Sequence, residues 1–293
     1  MRVVVFGSSG LLGQSLVPYL LECGHEVLTN AGTVDGKERV DLSNFQNVRV
    51  ALDRTLPDVI VNLAALTNVD ECERNPQLAY LTNVKIVENI ANWIKGEGHP
   101  CHLVQISTDQ VYDGPGPHKE DDITLRNYYG FSKYTSELAA AAVRSTILRT
   151  NFFGRSNCST RASLSDWLVR SLSKGERVTV FDDIRFSPLA IHSLVRLLEI
   201  VMVKRQCGLY NVGSKEGMTK ADFAFALAEV LGLSTEFMSR GFSNSVNLAA
   251  YRPKDMRMDS AYFENIYGVN LPTLQEEIQS MKGIYADEAP STH

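Results

Sequence analysis

The fold is decided by the stretch Val3-Val4-Val5-Phe6-Gly7-Ser8-Ser9-Gly10-Leu11-Leu12-Gly13. Its first four residues are apolar and end at a glycine, which is typical of a short strand buried on both faces of a sheet. From Leu11 to Leu21 the apolar residues follow helical spacing, and Gly24 is a suitable end for that helix. The chain therefore opens with a strand, a glycine-rich turn and a helix.

Three glycines of this turn have separate physical tasks. Gly7 permits a tight turn, Gly10 lets the backbone approach a phosphate, and Gly13 lets the helix pack close to the sheet. The first N–H groups of the helix are free and lie at the positive end of its dipole, which suits a pyrophosphate. A glycine-rich turn that binds nothing is the alternative. We expect cofactor contacts from Gly7, Ser9, Gly10, Leu11, Leu12 and Gly13.

Strand and helix patterns alternate through the first half of the chain. Short apolar runs predict strands over 26–28, 59–63, 103–107 and 146–148, and helical spacing predicts helices over 48–56, 78–94 and 134–143. Alternation of this kind favours a parallel sheet with helices on both faces, and right-handed crossovers make such a sheet doubly wound. After Phe153 the pattern loosens and predicts strands over 178–181 and 209–212 and helices over 194–203 and 220–231.

The predicted fold class is α/β, a doubly wound parallel (Rossmann) sheet with a smaller C-terminal α/β substrate lobe. With 293 residues the chain can form one large domain or two closely packed lobes. We expect residues 1–153 to form a dinucleotide-binding domain, to which 189–213 return. Residues 154–188 and 214–293 are expected to form the substrate-binding lobe. The last residues, 283–293, carry little pattern and are expected to fray.

Composition narrows the classes of function. Twenty-nine basic residues against thirty-four acidic ones give a net charge of −5, which argues against a broad nucleic-acid-binding surface. No apolar run approaches the roughly 18–20 residues of a membrane span, and the N-terminus enters a strand pattern directly, unlike a signal peptide. The five cysteines are scattered without a CxxC pair, which favours reduced thiols over a metal site or disulfides. We therefore expect a cytoplasmic protein with no metal, membrane or nucleic-acid partner.

The end of the second strand bears on the choice of cofactor. Dinucleotide folds usually place an acidic residue there to hold the adenosine ribose, but this chain has Thr29-Asn30-Ala31-Gly32. Lys37 and Arg39 are the nearest cations. The pattern leaves NADH and NADPH open and favours NADPH or the use of both. Asp41 and Leu42 are expected to flank the adenine, and the alternative for Asp41 is a turn aspartate.

A tyrosine and a lysine supply candidate chemistry in Tyr129-Gly130-Phe131-Ser132-Lys133. Their spacing places both on one face of a helix. An ammonium group beside a phenol lowers the pKa of the phenol, which can then pass a proton to a carbonyl oxygen during hydride delivery. Ser107 and Thr108 end a predicted strand, where a hydroxyl can bond the same carbonyl oxygen. A surface helix pair without function is the alternative.

Taken in order along the chain, these motifs resemble the extended short-chain dehydrogenase/reductases. The resemblance covers nearly the whole chain and is sharpest to the dTDP-4-dehydrorhamnose reductase branch. The stretches that carry it are Val61-Asn62-Leu63-Ala64-Ala65-Leu66-Thr67-Asn68-Val69-Asp70, Ser107-Thr108-Asp109-Gln110-Val111-Tyr112-Asp113-Gly114, Leu148-Arg149-Thr150-Asn151-Phe152, and Arg252-Pro253 with Met258-Asp259.

The resemblance implies a role for each matched residue. Thr108, Tyr129 and Lys133 would be the catalytic triad: Thr108 orients the substrate carbonyl, Tyr129 donates the proton, and Lys133 holds the nicotinamide ribose and tunes Tyr129. It implies NADPH or NADH as cofactor, and a homodimer. Further cofactor-site residues are Ala64, Ala65, Ser107 and Asn83, the last of which would brace the active-site helix. The substrate would meet Thr67, Asn151 and Phe152 at its sugar, and Arg252, with Arg185 as a second candidate, at its pyrophosphate.

Some residues depart from the branch pattern. Gln110 stands where the branch has Tyr, Asn151 where it has Ser, and Phe152 where it has Trp. All lie near the expected sugar pocket and therefore bear on the identity of the sugar more than on the reaction. We expect NAD(P)H-dependent reduction of a 4-keto group on a nucleotide-activated deoxysugar. The alternatives are a sugar-nucleotide epimerase or dehydratase, and a non-catalytic regulatory subunit similar to the beta subunit of methionine adenosyltransferase.

Overall fold

The computed structural model describes residues 1–29, 41–97, 100–158 and 161–285. Asn30, Ala31, Gly32, Lys37 and Arg39, named above for the choice of cofactor, lie outside the described residues, as does most of the C-terminal segment that was expected to fray.

A parallel sheet of six strands forms the centre of the molecule. The strands within the described residues are β1 (Arg2–Phe6), β2 (Glu26–Leu28), β3 (Val59–Asn62), β4 (His102–Thr108), β5 (Ser145–Thr150), β6 (Phe152–Phe153), β7 (Val178–Phe181), β8 (Arg185–Phe186), β9 (Leu189–Ala190), β10 (Gly208–Val212), β11 (Met218–Thr219) and β12 (Met238–Gly241). The central sheet has the order β10-β5-β4-β3-β1-β2, and every neighbouring pair is parallel. The predicted parallel sheet is confirmed.

Helices connect the strands of this sheet. Within the described residues they are α1 (Gly13–Glu22), α2 (Phe45–Thr55), α3 (Val69–Arg74), α4 (Pro76–Ala79), α5 (Ile86–Glu97), α6 (Tyr128–Ala141), α7 (Leu164–Ser173), α8 (Ile191–Lys204), α9 (Lys220–Val230), α10 (Ala261–Tyr267) and α11 (Leu274–Gln279). The single long helix predicted over 78–94 is wrong in one respect, because a π-helical segment, Tyr80–Lys85, separates α4 from α5. This wider turn carries Asn83, whose amide bonds the backbone of Leu66.

Two hydrophobic cores cover the two faces of the sheet. Along β1 the side chains alternate, so that Val3 and Val5 belong to one core and Val4 and Phe6 to the other. The first core is closed by α1, α8 and α10, and the second by α2, α5 and α6. Helices therefore lie on both faces of the sheet, which confirms the doubly wound arrangement.

A third core is built from the C-terminal half of the chain. It joins α7, α9 and α11 with β7, through buried residues such as Leu168, Leu227 and Ile278. The strand β10 leaves this region and pairs with β5 in the central sheet. We propose that the boundaries 154–188 and 214–293 describe this smaller lobe, with the exception of α10.

The helix α10 differs from the expected division because it packs on the central sheet. Its Phe263 and Tyr267 are fully buried in the first core. Their rings lie 6.0 and 5.4 Å from the ring of Tyr210 on β10, both at steep angles typical of edge-to-face contact. The helix α10 therefore covers Tyr210 on β10, one of the two edge strands of the sheet.

Other expectations concern cysteines, metals and membranes. All five cysteines lie among the described residues, and none of them is paired in a disulfide there. Among the described residues, no group of three or more His, Cys, Asp and Glu side chains is arranged to hold a metal ion. Every helix in this part of the chain is too short or too polar to cross a membrane.

The glycine turn is held by close backbone contacts. Gly7 has a φ of +80°, and a Cβ atom there would lie 2.7 Å from the backbone nitrogen of Ala64. A Cβ atom on Gly13 would lie 2.6 Å from the carbonyl oxygen of Gly7 and from the backbone of Ser8. Gly13 is therefore required by the turn itself, rather than by the approach of the helix to the sheet that the sequence suggested.

Replacing Gly13 by Ala tests this packing. Because the new methyl group meets backbone atoms that cannot rotate away, we expect Gly13→Ala to lower the free energy of unfolding by about 1–3 kcal/mol. Urea denaturation measures the change. Gly96→Ala is the matched control, since its Cβ would have open space in α5 and helix propensity favours Ala. Equal stability of the Gly13→Ala variant and the unchanged protein would contradict this account.

Candidate active site

The start of α6 is pressed against the chain that follows β4. Asn127 caps the helix, and its side-chain oxygen accepts a hydrogen bond from the N–H of Gly130 at 2.7 Å. A Cβ atom on Gly130 would lie 2.5 Å from the carbonyl oxygen of Gln110, so only glycine permits this approach. The contact brings Tyr129, on the first turn of α6, to the end of β4.

A cavity of about 400 Å³ opens where these elements meet. Its wall includes Gly7 and residues 10–13 of the glycine turn. It also includes Thr108, Tyr129 and Lys133. One cavity therefore joins the predicted phosphate-binding turn to the predicted catalytic residues. Further lining residues that were predicted are Ala65, Thr67, Ser107, Asn151 and Phe152.

Several predicted site residues lie outside the cavity wall. Asp41 accepts hydrogen bonds from the backbone and hydroxyl of Ser43, as a turn aspartate does. The carbonyl of Leu42 accepts a hydrogen bond from Asn89. The carbonyl of Ser9 accepts one from the Cys158 thiol at 3.3 Å. Cofactor roles for Ser9, Asp41, Leu42 and Ala64 stay predictions.

Lys133 is a buried cation with a fixed position. Its ammonium group donates a hydrogen bond to the carbonyl oxygen of Ile106 at 2.6 Å. Burial lowers the pKa of Lys133 to about 8, and the carboxylate of Glu137 acts in the opposite direction. Lys133 therefore stays mostly protonated at neutral pH but loses its proton at a lower pH than an exposed lysine does.

The pKa of Tyr129 moves in the direction opposite to the one expected. The sequence suggested that Lys133 lowers it, but burial raises the pKa of Tyr129 well above its usual value. A hydrogen bond with the side chain of Thr108 opposes this rise, and the charge of Asp109 adds to it. Burial dominates because a phenolate loses its hydration inside the protein. In this cavity the Tyr129 phenol therefore keeps its proton.

Asp109 is a buried carboxyl group in the cavity wall that the sequence analysis did not select. Its side chain is 1% exposed and accepts hydrogen bonds from Asn151 at 2.7 Å and from Thr108 at 3.2 Å. Burial raises the pKa of Asp109 to about 6, against the hydrogen bond of Asn151 and the charge of Lys220. The sequence feature that could have identified Asp109 is its position directly after Thr108, at the end of a predicted strand.

Asn83 and Ser107, both predicted for the cofactor site, form hydrogen bonds with neighbouring protein groups. Asn83 accepts a hydrogen bond from the N–H of Leu66 at 2.7 Å and donates one to the hydroxyl of Ser132 on α6 at 2.9 Å. It therefore ties the active-site helix to the chain after β3 and does not line the cavity. The hydroxyl of Ser107 donates to the buried carboxylate of Glu137.

The two arginines predicted for pyrophosphate lie outside the cavity wall. Arg252 forms a two-pronged ion pair with Asp70, at 2.8 and 3.1 Å. Its hydrogen bonds hold the pKa of Asp70 below the usual range. Arg185 is exposed on β8. A substrate pyrophosphate would have to share Arg252 with Asp70 or replace that carboxylate.

The residues around the glycine turn fit the pyrophosphate of a dinucleotide. Leu12, which precedes α1, makes no capping hydrogen bond with its side chain, and the first turn of α1 contains no acidic residue. A helix N-terminus that has neither a side-chain cap nor an acidic residue attracts an anion through its N–H groups and its dipole. The cavity leads from there to Tyr129 and Lys133, where a nicotinamide ring and its ribose would lie.

Comparisons with known proteins give consistent findings. The family described as RmlD substrate binding domain matches residues 1–286. A probable low-salt glycan biosynthesis reductase, Agl14 of Haloferax volcanii, is 28% identical over 98% of this chain and 99% of its own. The crystal structure of a hypothetical dTDP-4-dehydrorhamnose reductase from Sulfolobus tokodaii has a TM-score of 0.81 at 30% identity, covering 93% of this chain and 97% of that one.

A second solved structure is similar in fold. It is dTDP-4-dehydrorhamnose reductase from Bacillus anthracis in complex with NADP, with a TM-score of 0.85 at 23% identity. The alignment covers 96% of this chain and 98% of that chain. Its fold therefore extends over nearly the whole described molecule.

The raised pKa of Asp109 predicts how stability changes with pH. Near pH 5 the folded protein holds a proton on Asp109 that the unfolded chain, with a carboxyl pKa of 3.8, has released. The contribution of Asp109 to the free energy of unfolding therefore falls as the pH rises from about 4 to about 6, by roughly 2–3 kcal/mol.

The variant Asp109→Asn removes this titration while keeping the shape of the side chain. We expect its stability relative to the unchanged protein to increase by roughly 2–3 kcal/mol between about pH 4 and pH 7. Urea denaturation across this range measures the difference, and Asp121→Asn, at an exposed site, controls for the change in net charge. A stability difference that does not vary with pH would rule out a raised pKa at Asp109.

Proposed function

Because the chain belongs to the RmlD substrate binding domain family, we propose that it reduces a 4-keto group on a nucleotide-activated deoxysugar with NADPH or NADH. The observation that carries this proposal is the single cavity shared by the glycine turn and by Thr108, Tyr129 and Lys133. The names of similar proteins support it, since they describe reductases of keto sugars or of glycan biosynthesis.

The residues of the cavity divide the work of a ketone reduction. The reduced nicotinamide, when bound, supplies the hydride. Tyr129, which keeps its proton because it is buried, donates that proton to the carbonyl oxygen. The Thr108 hydroxyl donates its single proton to Asp109 in this structure and would donate it to the same carbonyl oxygen when substrate is bound. Lys133 would hold the nicotinamide ribose with the ammonium group that the carbonyl of Ile106 already orients.

Thr108 is held in position by its neighbours. Its hydroxyl oxygen accepts a hydrogen bond from the N–H of Gln110 at 3.2 Å, and the hydroxyl lies 3.2 Å from the carboxyl of Asp109. Hydrogen bonds of this kind fix the rotamer of a side chain before substrate arrives. The protein therefore contributes orientation as well as the proton.

The sugar end of the cavity is polar. Asn151 and Asp109 are bonded to each other there, and the side chain of Gln110 accepts a hydrogen bond from Asn127 at 3.3 Å. We propose that these groups, with Thr67 and Phe152, face the sugar. Gln110, Asn151 and Phe152 differ from the branch pattern, so these three side chains bear on which 4-keto nucleotide sugar is bound.

The geometry favours reduction over the alternatives. A dehydratase needs an additional acid and base, whereas Gln110 carries an amide where a dehydratase has a carboxylate. A regulatory subunit needs no catalytic triad, whereas here Thr108, Tyr129 and Lys133 share one cavity. We keep the homodimer as a prediction, which sedimentation velocity of the purified protein tests.

Cofactor oxidation with dTDP-4-dehydrorhamnose tests the proposed reaction directly. We expect turnover with NADPH, NADH or both, followed as loss of nicotinamide absorbance.

Tyr129→Phe should lower kcat by about 10²–10⁴-fold, because it removes the proton donor. Its Kd for NADPH should stay within about threefold, because the glycine turn is untouched. Near-normal turnover by the Tyr129→Phe variant would exclude Tyr129 as the proton donor. If the unchanged protein bound the cofactor but turned over no keto-sugar nucleotide, the regulatory role would be favoured.

A pair of variants tests the role of Arg252. If Arg252 binds the substrate pyrophosphate, Arg252→Ala raises the KM for the nucleotide sugar by about tenfold or more, because a charge-assisted pair is lost. Asp70→Asn, the matched variant on the other side of the ion pair, leaves KM unchanged or lowers it, because it frees the guanidinium. Equal rises of KM in both variants would show that the ion pair is only structural.

A further inference from the structure

Three side chains on one face of α6 contact the end of β4. Tyr129, Lys133 and Glu137 follow each other at intervals of four residues and are all buried. They meet three consecutive residues of the strand: Tyr129 bonds the side chain of Thr108, Lys133 the carbonyl of Ile106, and Glu137 the hydroxyl of Ser107. Glu137 thus belongs to the same contact as two proposed catalytic residues, although the reaction does not use it.

The carboxylate of Glu137 is fixed on all sides. Arg149 on β5 donates to both of its oxygens, at 2.9 and 2.6 Å, and Ser107 donates to one of them. Both Glu137 and Arg149 are 1% exposed. The remaining amino group of Arg149 donates to the hydroxyl of Tyr112 at 2.7 Å and to the carbonyl of Glu120 at 2.6 Å. These hydrogen bonds hold the carboxylate of Glu137 in one orientation inside the protein.

Arg149 pairs the buried carboxylate of Glu137 with a positive charge. A buried carboxylate without a cation is costly and takes up a proton instead. Although burial acts against its charge, the pKa of Arg149 is raised by its hydrogen bonds with Glu137. The pair therefore stays charged inside the protein.

Glu137 lies one helical turn after Lys133 on the same face of α6, so its carboxylate is a neighbour of the lysine side chain. The groups whose charge acts on Lys133 are Glu137 on α6 and the thiol of Cys72 on α3. Burial raises the pKa of Cys72 to about 11, so the thiol is neutral at physiological pH. Tyr129 and Asp109 share the cavity with Lys133, the former as a neutral phenol, and Arg149 lies behind Glu137.

We propose that Glu137 is a positioning residue, which, held by Arg149 and Ser107, keeps the Lys133 ammonium protonated and in place beneath the reacting groups. This inference rests on the proposed function for its catalytic meaning, but the charge of Lys133 can be measured without any reaction. Removal of the Glu137 charge leaves burial unopposed, and Lys133 then loses its proton at lower pH.

Carbon-13 labelling of the lysine ε-carbons measures this effect in the protein without substrate. The resonance that disappears in Lys133→Met identifies Lys133 and titrates with a midpoint near 8 in the unchanged protein. In Glu137→Gln we expect the midpoint to fall by about one to two pH units. An unchanged midpoint in Glu137→Gln would overturn the proposal.

Three further variants separate the effect of charge from an effect on folding. Glu277→Gln removes another buried carboxyl group, on α11, and should leave the Lys133 midpoint unchanged. Should Glu137→Gln fail to fold because Arg149 is left unpaired, the double variant Glu137→Gln/Arg149→Met removes both charges, and the midpoint should fall by less than in Glu137→Gln because a nearby cation is lost as well. Glu137→Asp keeps the charge and should retain a midpoint within about half a unit of the original. A fall as large in Glu137→Asp as in Glu137→Gln would contradict a role of charge.

The pH profile of kcat/KM links this titration to the reaction. In Glu137→Gln the loss of activity on the alkaline side should begin at lower pH, in step with the Lys133 midpoint. A shifted midpoint in a protein that reduces no keto-sugar nucleotide would leave the role of Glu137 standing and overturn the proposed function. Turnover with an unshifted midpoint would overturn the role of Glu137 and leave the function standing.

Discussion

The parallel pairing of β1, β3, β4 and β5 is the constraint on which the site depends. Parallel strands place their carboxyl ends along one edge of the sheet, and crevices outside that edge are where α/β proteins bind ligands. The register aligns Phe6 with Asn62, Asn62 with Gln105, and Thr108 with Thr150. Gly7, the chain after β3, and Thr108 therefore emerge side by side, although up to a hundred residues separate them.

Three charged side chains are buried beneath this edge of the sheet. Lys133, Glu137 and Arg149 are all at most 3% exposed. Each is compensated by a hydrogen bond or an opposite charge, because an isolated charge in such a place would cost several kcal/mol. The same burial keeps the Tyr129 phenol protonated and lowers the pKa of Lys133 to about 8. Low solvation is thus the common physical cause of the pKa shifts of Tyr129, Lys133 and Asp109.

Much of this architecture follows from local pattern. The glycine turn, the strand ends and the spacing of Tyr129 and Lys133 were each visible as short motifs, and the structure brings them into one cavity. The expectation failed where the packed interior decides the surroundings of a group. The pKa of Tyr129 follows burial more than its neighbours, and α10 packs on β10 through ring contacts. For Gly13 the deciding contact is local, with the backbone of Ser8 in the same turn.

Local periodicity and turn chemistry are properties of consecutive residues, and for that reason the alternation of strands and helices, the glycine turn and the candidate triad could be inferred from the chain alone. The remainder depends on partners that are far apart in sequence. Asp70 meets Arg252 across 182 residues, Asn151 meets Asp109 across 42, and Ser107 meets Glu137 across 30. Burial and partner choice are fixed only when the sheet and its helices pack, because desolvation is a property of the folded interior.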